Sequence, residues 1–265
     1  MKLINFSCLL FFVFYSMTSF ADKSFFKDIS YLLPDQKPRL SYGVAVTDFD
    51  KDGLDEFIVT GFGYENLALG FDGKSLKNKI KENIFSDFNR STIGVAACDI
   101  DKDGHEEIYF LNTDTYSGQK MYSDRLLNIE NKNIVDLFEK DINQDELNLT
   151  AGRSVVCVDR EGNGNYGVYV ANYGGPTRYY EYIEDRVVDL AESLNLDEVT
   201  GGRAVVAGHI LTDQMDIFAA NERGPNFLYF NKKGKFLDVA GQMNVRDMYQ
   251  NGRGTALSDI LYRGR

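Results

Sequence analysis

The sequence predicts an all-β chain, a β-propeller built of four-stranded antiparallel blades, and three observations carry that prediction. One segment type recurs along the chain, as Tyr42–Asp48, Ile93–Asp99, Arg153–Asp159, Arg203–His209 and Arg253–Asp259, its copies ending 51, 60, 50 and 50 residues apart. Self-similarity at such a period marks a propeller, a solenoid or an array. Each period also holds four short strand-like runs, in the first about Tyr42–Thr47, Glu56–Gly61, Asn66–Asp72 and Lys79–Ser86. That suits a blade better than the single strand of a solenoid turn. Finally, 16 Tyr, 19 Phe, 24 Gly and only four Pro favour many strands joined by tight turns.

The elements follow in order. Residues 1–21 read as a secretory signal: Lys2 gives a positive start, Cys8–Tyr15 a short apolar run, and Ser19-Phe20-Ala21 a small-residue cleavage site. The run is too short to span a bilayer. The mature chain, 22–265, is then a partial propeller with blades at about 40–90, 91–140, 151–195 and 201–245 and the start of a fifth at 251–265. Fourth strands share a pattern, seen in Ile134-Val135-Asp136-Leu137, Val187-Val188-Asp189-Leu190 and Phe236-Leu237-Asp238-Val239. Phe26-Lys27-Asp28-Ile29 repeats it ahead of the first full period, so 24–33 reads as a closure strand completing a distant blade. On that reading the sequence is a piece of a longer ring. The competing expectation is a five-bladed ring closed by pairing Phe25–Ile29 with Arg253–Asp259.

The chemistry lies between first and second strands. Asp48-Phe49-Asp50-Lys51-Asp52-Gly53-Leu54-Asp55-Glu56 and Asp99-Ile100-Asp101-Lys102-Asp103-Gly104-His105-Glu106-Glu107 are two copies of one Ca²⁺ loop. Acids at positions 1, 3 and 5 (Asp48, Asp50, Asp52; Asp99, Asp101, Asp103) converge, because alternate residues of a tight loop face one side. Gly at position 6 permits the turn. Position 7 (Leu54, His105) offers its carbonyl, and Glu56 or Glu107 at position 9 completes a shell of hard oxygens. An EF-hand would need a bidentate Glu at position 12, where Val59 and Phe110 stand. Asp159, Glu161 and Asn163 form a weaker third candidate, with Gly167 at position 9. The fourth loop offers His209, Leu211 and Asp213, and the fifth offers Asp259, Leu261 and Arg263; neither reads as a metal site.

The motifs at Ile93–Asn112, Ala151–Asn172, Gly224–Leu228 and Asn251–Asp259 resemble the cartilage acidic protein family, whose members carry FG-GAP (integrin-α-like) repeats. The resemblance runs from about Phe25 to the C-terminus. It implies a seven-bladed propeller, of which this chain would hold about four blades and one further strand. It also implies a secreted, calcium-binding matrix or cell-surface role without known catalysis. The family's calcium ligands carry over onto Asp48, Asp50, Asp52, Glu56, Asp99, Asp101, Asp103 and Glu107.

Charge and the remaining motifs bound the alternatives. A net charge of −11 argues against nucleic acid as partner, whose phosphates it would repel, and nothing indicates membrane insertion. The expected partner is an extracellular protein or glycan, with the chain secreted, or periplasmic or surface-bound in a bacterial host. His105 and His209 lack zinc spacing, and neither a Gly-x-Ser-x-Gly elbow nor a phosphate-cradling loop occurs. A propeller-type polysaccharide lyase or hydrolase, or a carbohydrate-binding module, is the rival reading. Asn89 and Asn148 head glycosylation sequons. Cys98 lies one residue and Cys157 two residues before its loop, and opposite faces of their blades favour two free thiols over a bridge. Arg153, Arg203 and Arg253, each after a Gly, recur in first strands. Pairing with a neighbouring blade's acid is the favoured role, binding of an anionic ligand the alternative.

Overall fold

The computed structural model describes residues 26–33, 38–130 and 133–261. The expected signal segment 1–21, Phe25 and Arg263 lie outside the described residues. Sixteen strands among the described residues fall into four antiparallel meanders of four. The first is β1 (Val44–Thr47), β2 (Glu56–Val59), β3 (Leu67–Phe71) and β4 (Leu76–Asn78). The second is β5 (Thr92–Cys98), β6 (Glu107–Asn112), β7 (Arg125–Glu130) and β8 (Asn133–Asp136). The third is β9 (Gly152–Val158), β10 (Gly167–Pro176), β11 (Arg178–Ile183) and β12 (Arg186–Asp189). The fourth is β13 (Val199–Gly208), β14 (Asp216–Asn221), β15 (Phe227–Lys232) and β16 (Lys235–Asp238). Beyond its bulge, β10 also pairs with the start of β13, which joins the third and fourth meanders edge to edge.

Period-two alternation explains why the meanders stack. Ile108 and Phe110 of β6 pack against Phe49, Ile58, Ala68 and Phe85 of the first meander. Tyr109 and Leu111, one residue out of phase, pack against Val168, Val170 and Tyr180 of the third. β10 repeats the arrangement, with Tyr169 and Ala171 meeting Ile217, Ala219 and Tyr229 of the fourth. β6 and the first part of β10 are therefore buried on both faces, and their sequences read as continuous apolar runs rather than as alternations. First strands lie side by side down the stack. On the outer face of the first meander, Val44, Val46 and Phe57 are exposed.

The recurrent Asp of the fourth strands has a structural reason. Asp189 Oδ1 accepts from Tyr179 N across the ladder and from Ala191 N two residues on, both at 3.0 Å. Asp136 does the same for Leu126 and Phe138, and Asp238 for Leu228 and Ala240. One side chain thus ends the strand and pins it to its neighbour. The first meander uses Asn78, which accepts from Ala68 N at 2.9 Å.

Three expectations on the elements need correction. The first meander's fourth strand is Leu76–Asn78, not Lys79–Ser86, because Asp72 Oδ1 accepts from Lys74 N and Ser75 N and turns the chain back at once. Residues Asn83–Ser86 are instead a helical turn that drives Phe85 into the core. Phe26–Ile29 is not a strand; Asp28 keeps the two-residue-on bond, to Ser30 N at 2.8 Å, without a ladder. Arg253–Asp259 is likewise not a strand, although Gly252 N still donates to Asn221 O at 3.0 Å. No ladder among the described residues joins these two segments.

The free-thiol expectation also fails. Cys98 and Cys157 form a disulfide, with Cα atoms 6.3 Å apart. Opposite faces of neighbouring sheets are the faces that meet, so strand alternation brings the two sulfurs together instead of apart.

Candidate metal centre

Both acidic loops take the same backbone path. Position 4 is left-handed in each, at Lys51 (φ 61°) and Lys102 (φ 65°), as is position 6, at Gly53 (φ 88°) and Gly104 (φ 87°). A glycine suits position 6, where a side chain would be strained. The first aspartate of each loop holds that turn: Asp48 Oδ2 accepts from Gly53 N at 2.9 Å, and Asp99 Oδ2 from Gly104 N at 3.0 Å. Position 2 anchors the loop, with Phe49 and Ile100 buried in the core. Position 9 opens the second strand and carries its carboxylate inward.

The loops bring together three carboxylates each. Asp48, Asp50 and Glu56 offer oxygens that all lie within 4.8 Å of one another, and so do Asp99, Asp101 and Glu107. Glu56 is 0% exposed and Glu107 1% exposed. Both oxygens of Glu56, Oδ1 of Asp99 and Oε1 of Glu107 are buried without a hydrogen-bond partner. Glu107 Oε2 accepts from Ile100 N at 2.9 Å, which fixes the side chain and leaves Oε1 toward the cluster. Burial, and then the charge of Asp50, pushes the Glu56 carboxyl up to about 7. Burial, reinforced by the loop aspartates, pushes Glu107 up to about 8. Buried, partnerless carboxylate oxygens converging on one point fit a hard cation, which would replace the missing donors.

Asp52 and Asp103 stand further out. Each accepts from the backbone N–H two residues on, Leu54 at 2.9 Å and His105 at 2.8 Å. Leu54 is exposed, and His105 is half-buried with its backbone N–H in that bond. Sequence reasoning missed three neighbours, of which Lys51 reaches Asp103 Oδ2 at 3.4 Å. Lys79 Nζ reaches Asp52 Oδ2 at 2.7 Å, crossing over Gly70, whose missing side chain leaves the space. In the second meander Asn128, in the register position of Gly70, donates to Asp101 Oδ2 at 3.0 Å.

The third loop keeps the path but not the cluster. Gly162 and Gly164 are left-handed, and Asp159 accepts from Gly162, Asn163 and Gly164. Asn163 Nδ2 donates to Glu161 Oε2 at 3.1 Å, and Glu161 pairs with Arg160. Position 9 is Gly167, where a Cβ would stand 2.7 Å from the Tyr179 ring. Tyr179 occupies the place that Glu56 and Glu107 take in the other loops, its hydroxyl donating to Val158 O. The fourth loop is one residue shorter; Asp216, its eighth residue, pairs with Gly208 as Glu56 does with Thr47, yet both its oxygens are spent on Leu211 N and Asn231 N. Of the sequons, Asn89 is exposed. Asn148 is 0% exposed and hydrogen-bonded to Asp124 and Asn172, which corrects its expected role as a glycan acceptor.

Comparison with known proteins agrees with these features. The FG-GAP-like repeat family matches residues 48–110, which span both acidic loops. The chain is 41% identical over 253 residues to cartilage acidic protein 1 of Xenopus tropicalis, covering 86% of this chain and 39% of that one. It is 41% identical to the Homo sapiens protein of the same name, covering 38% of it, and 40% identical to that of Mus musculus, covering 39%. The chain thus spans under two-fifths of the length of these relatives, and the resemblance to cartilage acidic proteins holds along most of its own. No helix among the described residues is long and apolar enough to cross a membrane.

Proposed function

We propose that this chain is a secreted, calcium-binding stretch of propeller blades that serves as a non-catalytic interaction module in the extracellular matrix or at the cell surface. The observation that carries the reading is the pair of equivalent loops, each converging three carboxylates with buried, unsatisfied oxygens. Asp48, Asp50 and Glu56 would hold one Ca²⁺ and Asp99, Asp101 and Glu107 the other. Asp52 and Asp103 would join after small side-chain shifts, with the carbonyls of Leu54 and His105 completing each shell. Bound calcium supplies no reaction here; it neutralises the acids and fixes the loop that joins first to second strand. The chain's own residues set that loop beforehand, through Phe49 and Ile100 in the core and the Asp48 and Asp99 turn bonds. The partner is an extracellular protein or glycan, as similarity to matrix proteins suggests.

Calorimetric titration tests the reading. Two Ca²⁺ per chain should bind at roughly 10⁻⁴–10⁻³ M, the range of extracellular modules. Asp50→Ala and Asp101→Ala should each remove one. Heat-silent titration with no change in melting temperature on adding calcium would reject it.

A further inference from the structure

The strand ends opposite the acidic loops carry a second constellation. Arg153 is the second residue of β9, Arg203 lies in the first half of β13, and Arg253 follows in the same register of the next repeat. Tyr116, from the loop between β6 and β7, and Tyr173, near the end of β10, bring their rings to 5.3 Å. Both guanidinium groups lie over both rings: Arg153 at 5.2 and 5.6 Å from Tyr116 and Tyr173, Arg203 at 5.4 and 4.8 Å. Two cations are therefore held side by side, a placement that costs repulsion unless something negative joins them.

The chain supplies too little negative charge there. Glu222 pairs with Arg203 and, at 3.5 Å, with Arg253. Arg153 makes no ion pair among the described residues. Its donors go to Thr113 Oγ1, Gly152 O and Tyr116 O, and its buried Nε has no acceptor at all. Three guanidinium groups thus face one carboxylate, in a chain whose net charge is −11. Other buried or half-buried arginines of the meanders have carboxylate partners, as Arg125 has Asp87, Asp136 and Glu139 and Arg178 has Asp189.

We infer that Arg153 and Arg203, braced by Tyr116 and Tyr173, form with Arg253 an anion site for a tetrahedral oxyanion, of the kind a sulfate or phosphate ester presents. Guanidinium forks converging from three successive repeats suit a group with acceptor oxygens on every side, more than a two-oxygen carboxylate. Tyr116, 60% exposed, leaves the cluster open to a ligand on a larger molecule. The site lies away from the calcium loops and does not depend on them.

The test is titration of the calcium-loaded chain with inorganic sulfate against chloride at matched ionic strength, read by calorimetry and melting temperature. A mono-sulfated disaccharide with its unsulfated parent, and phosphoserine with serine, then distinguish the ester sources. Saturable sulfate binding, weakened at least tenfold by Arg153→Gln and by Arg203→Gln but not by Arg178→Gln, is the expected result. Preference for one ester over the other assigns the source. Arg153→Lys, which keeps the charge and loses the fork, should fold and still bind several-fold more weakly. Sulfate indistinguishable from chloride in the wild type, or equal binding of each ester and its parent, overturns the site without touching the calcium reading.

Discussion

Lys79 Nζ lies 2.7 Å from Asp52 Oδ2, 3.6 Å from Asp50 Oδ2 and 3.8 Å from Glu56 Oε1, so a cation of the chain's own reaches into the first carboxylate cluster, whereas the second cluster meets the neutral amide of Asn128 and Lys51 touches only its outlying Asp103, at 3.4 Å. A divalent ion entering the first loop must displace or tolerate that ammonium, and like charges at such range repel. The two sites should therefore differ, the second binding calcium more tightly. Lys79→Met should tighten the first by roughly tenfold and leave the second alone. Calorimetry on this variant with Asp101→Ala in the background isolates the first site; an unchanged affinity there would show that Lys79 is a bystander.

Calcium stoichiometry should ignore the third loop. Asp159 spends its oxygens on three backbone N–H groups, and Tyr179 fills the ninth position's place beside Gly167. Asp159→Ala should therefore leave two ions bound while lowering stability, through loss of the turn bonds, by about 1–2 kcal/mol. A drop of one ion in the titration would place a third site there after all.

What the sequence could and could not reveal follows from how local each cause is. The two acidic loops were legible because their spacing is set inside nine residues, by turn bonds such as Gly53 N to Asp48 Oδ2. The four-strand meanders were legible because the first-strand segment and the Asp-bearing fourth strand recur at a period of about 50–60 residues. Lys79, Asn128 and Tyr179 were not, since each reaches its loop from another strand or connection and nothing in its own neighbourhood marks it. Asn148 carries a glycosylation sequon in sequence, but its burial comes from Asp124 and Asn172, both 24 residues away. The cysteine face assignment was right for each sheet, and the error lay in how adjacent sheets meet.

The disulfide should tie the second and third meanders together. It closes a loop across a sequence separation of 59, and constraining an unfolded chain over such a span contributes about 2–4 kcal/mol. Cys98→Ser with Cys157→Ser should lower urea stability by that order without abolishing calcium uptake. Unfolded, unreduced protein lacking residues 1–21 should show no reactive thiol, and two after reduction. Two thiols before reduction would restore the free-cysteine reading.

Asp189 should be worth more to stability than its place at a strand end suggests. Its Oδ1 accepts from Tyr179 N and Ala191 N, and its Oδ2 meets Arg178 Nη1 at 2.6 Å. Tyr179 and Ala191 are buried, so Asp189→Ala leaves two donors that water cannot readily reach, and such orphans cost about 1–3 kcal/mol each. Partial relaxation brings the expected total to about 2–4 kcal/mol. Asp189→Asn keeps the accepting oxygen and loses only charge toward a half-buried arginine, so it should cost about 1 kcal/mol. Urea unfolding of the two variants separates the backbone bonds from the ion pair. Equal losses would assign the effect to Arg178, and the recurrence of Asp at 136, 189 and 238 would then need another cause than the pinning of each fourth strand to its neighbour.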